Sequence, residues 1–305
     1  MPMNPSTPTS EAITEKPDIQ WRNAAPLSEL WAYRRLIRQL AERDLKARYK
    51  VSVLGFFWSL LRPLLTIAVL ALVFSFIMGF ESPRYAVPYY VLLLVTYMPW
   101  FYFSTALLEG THSILANSHL IKKVYCPRAV YPAAVVLANG VNFVFSLVVL
   151  IPLVYILSGS SPSWTVLQLP LVIGFHTALI LGIGFAVSVL NVLFRDTTQM
   201  MEFLVFVWFY LSPVLYDVYE VYQRVEGGWR WLYFLNPMAG ILEWYRYALL
   251  ASRLRVEDAA FPGLAELRQL VFYGAVPYAA AVSVIGLLAG YAILKRLETR
   301  AVDAL

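Results

Sequence analysis

Glu243 and Arg246 stand three residues apart in the aromatic-rich stretch Trp229–Leu250. On a helix that spacing puts a carboxylate and a guanidinium on one face, where they can pair. The pair reads equally well as a polar feature beside an exit path and as a structural ion pair. Other acid–base chemistry is sparse. Glu109 and Glu202 fall at the ends of apolar runs, which suits interfacial carboxylates better than proton carriers. His112, His119 and His176 are far apart, and His176 lies inside an apolar run, where a packed core histidine is the expected reading. Cys126 is the lone cysteine, so neither an intramolecular disulfide nor a multi-cysteine metal site is available. The sequence contains no G-x-x-x-x-G-K-[ST], H-E-x-x-H, C-x-x-C or G-x-S-x-G. Nucleotide hydrolysis and the common hydrolytic chemistries are therefore not expected of this chain.

The elements that must position these residues are membrane helices. Of 305 residues, 60% are hydrophobic and 14% charged, against roughly 25% charged in a soluble domain. The mean hydropathy is +0.63. Uncharged apolar runs of about 20 residues are long enough to cross a membrane, and six are expected. They are Val53–Phe80, Val87–Leu108, Ala129–Leu157, Trp164–Phe194, Phe203–Tyr216 and Val271–Leu294. No secretory signal is expected at the N-terminus, because residues 1–26 are polar and lack an apolar core. They read as a disordered cytoplasmic tail.

The net charge of +5 does not imply nucleic acid, because the basic residues flank the apolar runs. Arg34 to Lys50 precede the first run, Lys122, Lys123 and Arg128 separate the second and third, Arg195 follows the fourth, and Lys295, Arg296 and Arg300 follow the sixth. That alternation puts both termini in the cytoplasm. The Asp217–Gln269 connection is basic yet falls outside, which the rule tolerates for long loops. Within it, Asn236-Pro237 and Gly240 break Trp229–Leu250 into halves too short to span. A pair of re-entrant helices fits, and so does an amphipathic helix on the outer surface. Residues 27–51 carry apolar positions at three- and four-residue spacing with Arg and Glu between them, which fits an amphipathic helix in the membrane interface and equally a short cytoplasmic helix against a partner protein. Gly286 and Gly290 form a GxxxG in the last run, which allows close helix approach; a dimer contact is the lesser of its readings. Aromatic residues, among them Tyr97, Trp100, Trp208 and Tyr210, read either as an interfacial belt or as a surface for sugar rings.

Three ordered stretches resemble one family. The first is Arg43-Asp-Leu-Lys-Ala-Arg-Tyr-Lys50, followed by Ser52, Leu54-Gly55, Trp58, Leu61 and Pro63. The second is Asn117-Ser-His-Leu-Ile-Lys-Lys-Val124, followed by Pro127-Arg128 and Pro132. The third joins Arg195-Asp196, Ser212-Pro-Val214, Tyr216, Leu235-Asn-Pro-Met238 and Glu243-Trp-Tyr-Arg246. Together they look like ABC-2 type permeases that export O-antigen, capsule, teichoic acid and related glycans.

The resemblance implies an all-α integral membrane protein of the bacterial inner membrane. It would have six spans, an N-terminal interface helix at 27–51, and re-entrant helices at about 217–252 between spans five and six. The transmembrane domain would cover 27–296, with 297–305 a cytoplasmic tail. It further implies a homodimer docked to two cytoplasmic ABC ATPase subunits, which bind the ATP and Mg; this chain has no cofactor and is not an enzyme. A coupling helix at about 111–125 would present Asn117, Ser118, His119, Leu120, Lys122 and Lys123 to the ATPase. Arg48, Lys50 and Arg62 would attract the diphosphate of a polyprenyl-linked glycan, since cations recognise phosphate oxygens by charge-assisted hydrogen bonds. Tyr97, Trp100, Trp208, Tyr210, Glu243, Trp244 and Arg246 would line the channel and exit. Asp196 would cap the helix after it. Rival readings are an ABC-2 exporter of another lipid or drug, a membrane-embedded glycosyltransferase or ligase, and an ion-coupled transporter.

Overall fold

The computed structural model describes residues 30–49, 57–82, 84–121, 126–225, 227–255 and 262–304. Among them every named element is helical, and the sole pairing of extended backbone is an isolated antiparallel bridge between Tyr85 and Leu254. Helix α1 (Arg34–Tyr49) is basic along one flank and buries Ala41, which is 3% exposed. It leans on α5 (Val130–Ser158). Helix α2 (Phe57–Ile77) ends in a wide π-turn over Leu72–Ile77. It keeps Phe57, Leu65, Val69, Phe76 and Ile77 exposed. For a chain this apolar, such a face is one that lipid or protein covers.

Helix α3 (Tyr89–Ala116) is the centre of the molecule. It is apolar all round and packs against α2, α5, α6 (Leu169–Leu193), α7 (Thr197–Leu211) and α10 (Pro237–Leu250). A helix hydrophobic on every side belongs inside a bundle. The remaining helices are α4 (Ser118–Ile121), α8 (Val218–Arg224), α9 (Gly228–Phe234), α11 (Leu264–Gln269) and α12 (Val276–Ala304). A π-wound turn, Leu270–Ala275, joins α11 to α12.

Among the described residues five stretches are long and apolar enough to cross a membrane: Phe57–Ile77, Tyr89–Ala116, Val130–Ser158, Trp164–Leu193 and Leu264–Ala301. The expected crossing at Phe203–Tyr216 falls on α7, which has 15 residues, a rise of about 22 Å, short of a core of about 30 Å. The link beyond α7 carries the chain onward. At its start Thr198 bonds Asn191 at the C-terminal end of α6, and past its end Asp217 lies 3.9 Å from Arg84 ahead of α3. Just ahead of α10, Asn236 accepts from the Trp208 indole on α7 (2.8 Å). Beyond α10 the chain pairs at Leu254 with Tyr85.

Two close backbone approaches fix this arrangement. Gly240 on α10 faces the carbonyl of Ala275, and Gly182 on α6 faces Gly286 and Gly290 on α12. A Cβ at Gly182, Gly240 or Gly290 would overlap backbone atoms. Gly290 of the last helix's GxxxG is thus used inside the chain, against α6, while a Cβ at Gly286 meets nothing within 4 Å. Other expectations are redrawn. Residues 111–116 are the last turns of α3, Asn117 breaks the helix, and α4 is four residues long. Helix α12 continues unbroken past residue 296 to Ala304. Asp196 precedes α7 but its side chain makes no cap hydrogen bond. Side-chain caps do occur at Asp217, which accepts from the Tyr219 amide, and at Asn236, which accepts from the Met238 amide.

Candidate functional site

Two polar clusters stand out in this apolar chain, at opposite ends of the bundle. At the end that carries α1, the Arg48 guanidinium works as a fork. One nitrogen donates to Glu109 on α3 and the other to the Asn139 amide oxygen on α5 at 3.1 Å. Asn139 in turn donates to Glu109 at 2.6 Å. These three residues head a cavity of about 340 Å³ between α1, α2, α3 and α5. Arg62 from α2 lines the same cavity, with Asn142 and Ser146 deeper on α5 and Trp58, Phe101 and Phe143 as its aromatic walls. Two of the three cations expected to attract diphosphate therefore share one cavity. The third, Lys50, lies outside the described residues.

Nearby, Arg43 donates to the Asn117 side chain (2.9 Å), which itself caps back onto the Ser113 carbonyl (2.9 Å). This ties α1 to the end of α3. Ser118 and Leu120 are half-buried in α4 and His119 is exposed. Lys122 and Lys123 lie outside the described residues. Arg128 and Lys295 both reach Glu298 at 3.2 Å, fastening the start of α5 to α12.

The second cluster is fully buried. Glu243 accepts from Arg246, as the helical spacing requires, and also from Arg84, which arrives from the connection before α3. Asp217 completes a set of two cations and two anions, all 2% exposed or less. Arg246 further donates to the carbonyls of Pro213 (2.5 Å) and Tyr216 (3.0 Å). Buried ions need both a partner of opposite sign and hydrogen bonds for the remaining polar atoms. The Ser212–Tyr216 carbonyls supply part of the second need. Burial pushes the Asp217 carboxyl above its ordinary range, against the pull of Arg84 and Arg246. The arrangement cross-links three segments: the connection ahead of α3, the stretch that follows α7, and α10.

The expected aromatic lining is divided. Trp100 is buried against Phe103 and Phe209, with ring centroids at 5.3 and 5.5 Å. Trp244 is buried, donating to Gln168 at 2.8 Å. Tyr97 and Trp208 are half-buried and Tyr210 is exposed. His176 is wholly buried among Tyr102, Phe143 and Tyr245, the core reading expected for it. Glu202 is exposed. Among the described residues no three His, Cys, Asp or Glu side chains are grouped to hold a metal ion.

An all-helical bundle with five membrane-length apolar helices defines a multi-pass membrane protein, and its ordered polar clusters narrow the class further. Residues 35–250 match the family described as ABC-2 type transporter, and the chain belongs to that family. It is similar to the O-antigen export system permease protein RfbA of Myxococcus xanthus, 34% identical over 229 residues (74% of this chain, 84% of that protein). It is also similar to the protein of that name from Klebsiella pneumoniae, 30% identical over 223 residues (73% and 83%). The polysialic acid transport protein KpsM of Escherichia coli is 24% identical over 219 residues (70% and 81%).

Proposed function

We propose that this chain is the membrane subunit of an ATP-driven exporter, and that its cargo is a polysaccharide of O-antigen type linked to a polyprenyl diphosphate lipid. The observation that carries the reading is the shared cavity of Arg48 and Arg62. It sets two guanidinium-bearing side chains and a polar wall beside the basic helix α1, where a charged lipid head would arrive from the cytoplasmic side. The names of the similar permeases supply the cargo class. In this reading α7 and the Ser212–Tyr216 link together form a sixth crossing, and α9 and α10 dip into the outer leaflet and return. Both termini lie in the cytoplasm. Two copies assemble with two ATPase subunits, which supply the ATP chemistry that this chain lacks. Arg43 and Asn117 then hold α1 against the element that meets the ATPase.

The test combines purification with genetics. Mild-detergent purification of the tagged chain is expected to recover a stoichiometric ATPase, two copies of each. Deleting the gene in its host is expected to remove the long surface glycan and leave lipid-linked polymer inside the cell. A chain that purifies alone in several detergents, from a host whose surface glycan survives the deletion, would overturn the reading.

A further inference from the structure

Below Arg48 and Glu109 the polar lining of the cavity continues along α5, beyond the Asn139 that both charged residues touch. Asn139, Asn142 and Ser146 stand at i, i+3 and i+7 on α5, one face of an otherwise apolar helix. They are 5%, 9% and 5% exposed, and all three line the cavity. Polar side chains at this depth face the protein interior or a wet cavity rather than lipid, because hydrocarbon offers them no partner. Ser146 donates back to the Asn142 carbonyl and Asn139 holds Arg48 and Glu109, and the three together give the cavity one polar wall that a polar guest can meet. Trp58 and Phe101 line the same cavity, and aromatic rings suit the C–H face of a sugar ring. At the mouth, Glu109 occupies the position on the Arg48 fork that a phosphate oxygen would take.

We propose that this cavity binds the head of a sugar diphosphate, the sugar against the α5 stripe, with Glu109 as an internal anion that the diphosphate displaces from Arg48. The inference rests on the export reading and names the part of the cargo that the chain grips. Glu109 sets how tightly it grips, because every incoming phosphate competes with a carboxylate already in place. Once displaced, Glu109 keeps its hydrogen bond from Asn139.

The experiment uses the chain with its ATPase in lipid nanodiscs. Three probes are titrated: a synthetic short-chain polyprenyl-diphospho-N-acetylhexosamine, the same lipid diphosphate without sugar, and inorganic diphosphate. The unaltered complex is expected to prefer the sugar-bearing probe. Glu109→Gln keeps the shape and the Asn139 contact but removes the charge, so it is expected to bind all three roughly tenfold more tightly. Asn142→Leu, and more mildly Ser146→Ala, are expected to abolish the preference for sugar while leaving inorganic diphosphate unchanged. Unaltered or weaker binding by Glu109→Gln would overturn the displacement. Inorganic diphosphate matching the sugar-bearing probe on the unaltered complex would overturn the sugar site. Failure of all three probes to bind, in a protein whose deletion removes the surface glycan, would sink the site and leave the export reading standing.

Discussion

Arg84 donates to Glu243 across 159 positions of sequence, and this bond joins the connection ahead of α3 to the middle of α10. Arg246 shares the same carboxylate, so neutralising Glu243 leaves Asp217 as the remaining carboxylate of the cluster for two buried cations. Glu243→Gln is expected to lower stability by about 3–5 kcal/mol, the cost typical of breaking a buried ion pair. Asp217→Asn is expected to cost less, because Asp217 stands 3.9 Å from Arg84 and already bears a burial penalty as a carboxylate. Thermal unfolding of both variants in one detergent checks the order. Equal losses, or a larger loss for Asp217→Asn, would contradict it.

The two glycines of the last-helix motif are expected to differ. A Cβ at Gly290 would overlap the Gly182 backbone, whereas a Cβ at Gly286 meets nothing within 4 Å. Gly290→Ala and Gly182→Ala force α6 and α12 apart, at a cost of roughly 1–3 kcal/mol. Gly286→Ala is expected to leave the melting temperature unchanged. Measuring the three variants side by side decides the matter.

Arg48 contacts Glu109 and Asn139 at once through its planar fork. A lysine ammonium lacks that geometry. Arg48→Lys is therefore expected to reduce glycan export roughly tenfold despite its retained charge, while the chain still purifies with its ATPase. Surface-glycan blots and pull-downs on the same strain read both quantities. Export at the unaltered level would show that charge alone suffices at this position.

Asn236 accepts from Trp208 and from the Met238 amide, and donates to Ser212. Asn236→Ala removes a helix cap and the tie between α10 and α7 together. Loss of an N-cap costs about 1 kcal/mol, and the unpartnered indole adds about 1–3 kcal/mol. The expected phenotype is lowered stability with protease sensitivity near α9 and α10. Asn236→Asp keeps the acceptor and is expected to retain most of the stability.

Much of this was legible in the residues. Apolar runs marked five membrane-length helices because hydrocarbon requires continuous apolar surface, and the Glu243–Arg246 spacing announced its ion pair. The other half of that cluster was not legible. Arg84 and Asp217 sit in connections, and nothing local signals that either is buried. The run Phe203–Tyr216 is not one continuous helix: Ser212–Tyr216 extends the apolar run but not α7, because Pro213 has no amide hydrogen to offer. Asn139, Asn142 and Ser146 were visible as letters, yet three small polar residues scarcely dent the hydropathy of α5. Their common face emerges only at helical spacing. The aromatic residues mislead in the opposite sense, since composition cannot tell Trp100, buried against Phe209, from Tyr210, which is exposed.

The contact of Gly182 with Gly290 has a bearing on how copies of the chain meet. At Gly290 the flank of α12 is already occupied by α6, whereas at Gly286 a Cβ would meet nothing within 4 Å. In the dimer proposed above, Phe76 and Ile77 on α2 and Phe203 and Phe206 on α7, all exposed, are side chains that a second copy would cover.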